Sequence, residues 1–167
     1  MGECRSWFSL RVDKDMCALL GAGEKETIIY EMELLASCIA MDAWAPKLMA
    51  SFPVLFGDND SVRFALIRGT GMGKVASTTM QLHLENEVAF NTHVWFARVP
   101  TEANIADIPS RFASHPLLLD SLESSSCAFD SLMKFLDKIK QVRNELIEKG
   151  EQFHLDAPRS KKMRVRI

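Results

Sequence analysis

Apolar and polar positions alternate along the first two thirds of the chain in a way that predicts strands and helices in turn. Cys4 to Val12 reads as a strand, with Trp7 and Phe8 its bulkiest members. Asp13 to Glu26 is mixed, and Gly21 and Gly23 mark a loop. From Thr27, a potential helix cap, Ile28, Met32, Leu35, Ile39 and Ala43 recur at helical spacing through Leu48, with the small Ala36 and Ala40 beside them. Glu33 falls on or near this apolar side, whereas Glu31 is placed to reach solvent. Phe52 to Phe56 is a short apolar run, the signature of a strand covered on both faces. It ends at Gly57-Asp58-Asn59-Asp60, so Asp58 lies at the carboxyl end of a buried strand, where α/β sheets place ligands.

A helix capped by Ser61 follows to about Arg68, with Val62, Ala65 and Leu66 inward. Lys74 to Phe90 is a second amphipathic helix, with Ala76, Met80, Leu84 and Val88 on one face. Thr92 to Val99 is rich in aromatic and β-branched residues and reads as a strand that Pro100 stops, because proline has no N–H to donate. Asn104 can then cap a short helical turn and present Asp107 on it, at the end of a sheet. An acid near a helix start is by itself only a favourable dipole partner.

Near Asp120 the character changes. Ser121 to Ser126 is linker-like, and Phe135, Ile139, Val142 and Leu146 step through a charged helix that ends at Gly150. So few heptads cannot sustain a coiled coil alone, which favours a helix packed on the domain over one that binds a partner. The organisation is therefore a domain over 1–118, a linker over 119–127, an amphipathic helix over 128–150 and a basic disordered tail over 151–167. In that tail Pro158 to Arg166 suits phosphate binding or nuclear targeting if it is more than a solvated end.

Composition narrows the classes. With 167 residues and 47% apolar content the chain can fill one core. A net charge of −2 sets up no global field for nucleic acid. Cys4, Cys17, Cys38 and Cys127 are scattered with no Cys-x-x-Cys pair, which points to a reducing, intracellular setting (cytoplasmic or nuclear) and away from a structural zinc site. No run approaches a membrane span, and the first residues lack the apolar stretch of a secretory signal. Gly69-Thr70-Gly71-Met72-Gly73-Lys74 is not a phosphate loop. That motif needs glycine at Arg68 and Ser or Thr at Val75, and the dinucleotide pattern needs glycine at Lys74. It reads as a flexible connection.

Three acids remain: Glu33 on a helix, Asp58 ending a buried strand and Asp107 opening a helix after a further strand. Hard divalent cations take oxygen ligands from a few carboxylates, and two such ions can activate water and stabilise a leaving oxygen in phosphodiester cleavage. Ile28-Ile29-Tyr30-Glu31-Met32-Glu33-Leu34-Leu35-Ala36, then Val54-Leu55-Phe56-Gly57-Asp58-Asn59, then Val99 to Arg111 (Val-Pro-Thr-Glu-Ala-Asn-Ile-Ala-Asp-Ile-Pro-Ser-Arg) resemble, in order and spacing, the ribonuclease H-like domain of retroelement reverse transcriptases. The resemblance covers roughly Cys4 to Phe112.

It implies an α/β fold: a mixed sheet flanked by helices, here lacking the first hairpin and followed by the C-terminal helix. It also implies Mg²⁺- or Mn²⁺-dependent hydrolysis of the RNA strand of an RNA–DNA hybrid, by a domain that began as part of a larger polymerase polyprotein. Glu33, Asp58 and Asp107 match the family's second, third and fourth metal-binding acids, and Asn104 the asparagine before the last of them. Glu33 is preferred to Glu31 because Leu-Leu-Ala follows it. The resemblance further implies that Asn59, Asn104 and Arg111 contact nucleic acid.

The departures define what to expect of activity. The chain starts at what resembles the family's third strand, so the strand that carries the first acid is missing, and Asp13 and Asp15 do not replace it. No histidine lies between Val99 and Asp107, where many members carry one. An N-terminally truncated domain of this kind should expose apolar surface and unpaired backbone, and should bind at least one metal weakly. Two other readings stand beside an impaired nuclease. One is a non-catalytic nucleic-acid-binding module that uses the basic tail. The other is an α/β interaction domain that works through the helix Phe135–Leu146.

Overall fold

The computed structural model describes residues 8–23, 25, 27–108 and 127–151. The strand expected over Cys4–Val12 lies partly outside them, and Phe8 to Val12 carry no strand pairing. Phe8, Leu10 and Val12 instead lie against the core as irregular chain. Helix α1 (Lys14–Leu19) follows, in a stretch that shows no helical period in the sequence. Its signal is a cap: Asp13 Oδ1 accepts the Met16 N–H at 2.8 Å, which satisfies one of the orphan donors of the first turn.

Helix α2 (Ile29–Leu48) is the centre of the molecule and packs against three other helices. Thr27 Oγ1 accepts the Ile29 N–H at 3.2 Å, so the threonine acts at the start of the helix as expected. The buried face differs from the expected one. Leu34, Leu35, Cys38, Ile39, Met41 and Ala45 are buried, while Met32 and Ala36 face solvent. Glu31 is also buried, at 5% exposure, and the expectation that it would reach solvent is wrong. The reason is local. Lys25, from the loop before the helix, folds over the first turn and pairs its ammonium with the Glu31 carboxylate.

Strand β1 (Val54–Gly57) runs parallel to β2 (Trp95–Arg98), with Val54 opposite Trp95 and Gly57 opposite Arg98. Between them lie α3 (Asp60–Arg68) and α4 (Gly73–Phe90), the helical crossover that a parallel pair requires. The described fold is thus mixed α/β, mostly helical, with a small two-stranded parallel sheet. Both strands are shorter than the runs that predicted them. Leu55 and Phe96 pack on the core. The opposite face is bare, contrary to the expectation of a strand covered on both sides: Phe52, Phe56 and Trp95 are 79%, 63% and 72% exposed. Leu55 and Phe96 face the helices, while on the other side the Phe52 ring stacks on His93 and stays largely exposed.

Asn59, not Ser61, caps α3; its Oδ1 accepts the N–H groups of Ser61 and Val62 at 2.9 and 3.3 Å. Val62, Ala65 and Leu66 point inward, as expected. Gly69 ends the helix with φ of 65°, a backbone that a side chain disfavours. At Gly71 an added Cβ would sit 2.3 Å from the Ala76 backbone, so this glycine serves close packing of loop on helix. Along α4 the buried face is Val75, Ala76, Thr79, Met80, Leu82 and His83. Leu84 and Val88 do not continue it, and Val88 is 82% exposed. The helix rotates that stripe away because α2 and the last helix lie against its other side.

Helix α5 (Cys127–Glu148) docks against α2 and α4. Leu132, Phe135, Leu136 and Ile139 are buried, Val142 lies partly buried against the same core, and Leu146 is almost covered. A polar lock joins three helices: Asp42 of α2 accepts from Asn86 Nδ2 of α4 and from Ser131 Oγ and Lys134 Nζ of α5, each at 2.6 Å. The linker over 119–127, apart from the backbone of Cys127, lies outside the described residues, as does the tail from residue 152.

Two expected outcomes follow from this packing. Phe135 fills the interface of α5 completely, so Phe135→Ala should cost roughly 3–5 kcal/mol in a chemical-denaturation experiment, through lost burial plus the cavity left behind. His83 is 1% exposed and its Nε2 has no hydrogen-bond partner. Burial pushes its pKa down to about 4. The unfolded chain therefore binds this proton first, and stability falls as the pH drops from about 6.5 to about 4, by up to roughly 3 kcal/mol. Glu87, 3.9 Å from His83, has its pKa raised by burial and contributes with the opposite sign. His83→Leu removes only the histidine part, so the stability gap between wild type and variant should change across that window and be flat above it.

Candidate site at the carboxyl ends of the strands

Both strands end on the same side, and the chain leaves them there as Asp58 and Val99. The Val99 N–H donates to the Gly57 carbonyl at 3.1 Å and extends the pairing by one bond. Asp58 follows β1 directly and is half-buried. Asn59 caps α3 through its side-chain oxygen, and its side chain lies near enough to Glu33 to favour the charged carboxylate. Glu33, in the N-terminal half of α2, is half-buried.

After β2 a 3₁₀ turn (Thr101–Ala103) leads to Asn104, whose Oδ1 accepts the Ala106 N–H at 3.2 Å while its carbonyl accepts the Asp107 N–H at 3.1 Å. The backbone turns helical at Asp107, as the sequence suggested. Asp107 is half-buried, and its charge is felt at Glu33.

The three acids come from three separate elements, and Asp58 and Asp107 are near enough for their charges to act on Glu33. The electrostatic sign of this is the Glu33 carboxyl. Burial raises its pKa above the usual glutamate value, the charges of Asp58 and Asp107 raise it further, and the Asn59 hydrogen bond opposes them. Like-charged carboxylates without a cation repel, and the protonated form of one relieves the strain. Among the described residues, no group of three or more His, Cys, Asp and Glu side chains is arranged to hold a metal ion. Arg111 lies outside the described residues. Glu31, the alternative acid of α2, pairs with Lys25.

A cleft of about 610 Å³ lies elsewhere, on the face of α4 that carries Leu84 and Val88, against Gly69 and Gly71. It is apolar and includes none of the three acids. Beside the acids, Asp60 binds two arginines that the sequence reading did not single out. Arg63 donates Nε and Nη2 to Asp60 Oδ1 at 3.2 and 3.0 Å, and Arg98 Nε lies 3.5 Å from Oδ2. The Asp60–Arg63 spacing on a helix is the one signal that could have found them.

Because Glu33 binds its proton more tightly in the folded chain, stability should fall as the pH rises from the ordinary glutamate value through the raised one. Carboxyl-resolved NMR titration checks the cause. Asp58→Asn should lower the Glu33 midpoint, and saturating Mg²⁺ should lower it in wild type; an unmoved midpoint in both would mean that burial alone sets it.

Compared with protein-family models, with curated proteins and with solved structures, the chain gives no match.

Proposed function

We propose that this chain is a ribonuclease H-like domain of retroelement type, impaired as a nuclease, that engages RNA–DNA hybrids through a carboxylate site built from Glu33, Asp58 and Asp107. The observation that carries the reading is that Asp58 and Asp107, each following the exit of a strand, stand near enough to Glu33 on α2 for their charges to raise its pKa. Carboxylate oxygens are the donor type a hard divalent cation takes, although in this structure the three acids are not arranged as a group that could hold one. Mg²⁺ or Mn²⁺ held by Glu33, Asp58 and Asp107 would supply charge neutralisation at a phosphodiester and an activated water.

The chain's own residues do the placing. Asn59, fixed as the cap of α3, favours the charged form of Glu33, and Asn104 sets the turn that leads to Asp107. Among the described residues these acids are not arranged as a group that could hold a metal ion, and the proposal is accordingly of weak turnover.

The second reading, a nucleic-acid-binding module without catalysis, draws on the exposed Arg98 and the partly buried Arg63 beside the site. One experiment separates the two. Hydrolysis of the labelled RNA strand of an RNA–DNA hybrid is followed with Mg²⁺ and then Mn²⁺, beside Asp58→Asn, with binding of the hybrid measured in parallel. The expected outcome is binding with cleavage at or barely above the Asp58→Asn background. Strong cleavage that the variant loses would show that three carboxylates suffice. A folded chain that neither binds nor cleaves the hybrid sinks the proposal.

A further inference from the structure

On α3, immediately after Asp58 and Asn59, Phe64 is 45% exposed, an unusual place for a large apolar ring. Two guanidinium groups lie over it: Arg63 at 4.7 Å and Arg68 at 5.7 Å from the ring centroid. Cation–π attraction of this kind holds an arginine head flat on the ring and leaves its edge N–H donors pointing outward. Asp60 completes the arrangement by taking Nε and Nη2 of Arg63 and facing Nε of Arg98 at the end of β2. Arg63 and Arg98 thus share Asp60, while Arg68 is held by the ring alone.

Ordinarily arginine side chains lose freedom on binding an anion. Here the ring and Asp60 hold them beforehand, so less entropy is lost when a ligand arrives. The N–H groups that remain free match the bidentate geometry of phosphate oxygens. Both Arg63 and Arg68 converge on the Phe64 ring, and Arg98 reaches the same cluster from β2 through Asp60, so the donors come from two separate elements.

We propose that Arg63, Arg68 and Arg98, held by Phe64 and Asp60, form the surface that grips the sugar–phosphate backbone of the nucleic acid and lays it past Asp58. This rests on the proposed function and adds to it the surface that the substrate uses. Phe64 and Asp60 are positioning residues; the arginines make the contacts. No base edge is read, so the grip is independent of sequence.

The test is fluorescence anisotropy of a labelled RNA–DNA hybrid across a salt series in metal-free buffer, which keeps the carboxylate site out of the measurement. Full-length wild type is compared with Arg63→Gln/Arg68→Gln/Arg98→Gln. A control variant neutralises Arg159, Lys161, Lys162, Arg164 and Arg166 of the tail. The triple variant should flatten the dependence of log affinity on log salt by about 2 to 3, the loss of three phosphate contacts, while the tail control keeps that component. Phe64→Leu should weaken binding at unchanged slope, because charge is kept and preorganisation lost. Circular dichroism confirms folding, which these exposed positions should not disturb. Wild-type binding with an unchanged slope in the triple variant overturns this inference and leaves the proposed function standing. No binding by wild type overturns both. Equal affinity for a poly-glutamate peptide overturns the assignment to nucleic acid.

Discussion

Burial of α2 is the constraint on which the remaining structure depends. This helix has apolar residues around most of its circumference, and α3, α4 and α5 together cover it. Leu34, Leu35, Cys38 and Ile39 cannot be removed from water by the two short strands alone, so the helices supply the core and the sheet is attached to its side. The consequence for the site is direct. Once α2 is locked by this packing, Glu33 on its N-terminal half stands within reach of the charges of Asp58 and Asp107.

The same arrangement explains the distribution of polar groups inside. Asp42 sits where α2, α4 and α5 meet and finds three donors, which offsets the cost of withdrawing its charge from water. His83 lies a short way along α4 without an acceptor or donor for Nε2, and remains neutral. Docking of α5 thus combines apolar contact with a specific polar register, and this amounts to more than a stripe of leucines would provide.

The two-stranded sheet is the exposed partner in this design. Its inner residues, Leu55 and Phe96, face the helices, and its outer residues, Phe52, Phe56 and Trp95, face away from every described element. Its function in the described fold is geometric. Parallel pairing over four residues brings two chain exits side by side, and those exits deliver Asp58 and, through the Asn104 turn, Asp107.

Much of the local structure is determined by the sequence itself, because caps, turns and periodicity act over a few residues. The helix after Asp58, the stop at Pro100, the turn at Asn104 and the helix over Phe135 to Leu146 are all legible from residue type and spacing. The candidate acids are legible as types, each at the end or start of an element. Which face of each element is buried was decided by tertiary structure. Met32, Leu84 and Val88 lie on regular helical stripes yet face solvent, because neighbouring helices cover other sides. Glu31 is buried because a lysine six residues earlier folds back onto it, a pairing that periodicity does not encode. Neither could the sequence bring Glu33, Asp58 and Asp107 to one place, nor set Arg98 beside Asp60. Those meetings join distant parts of the chain, and only packing of the whole core determines them.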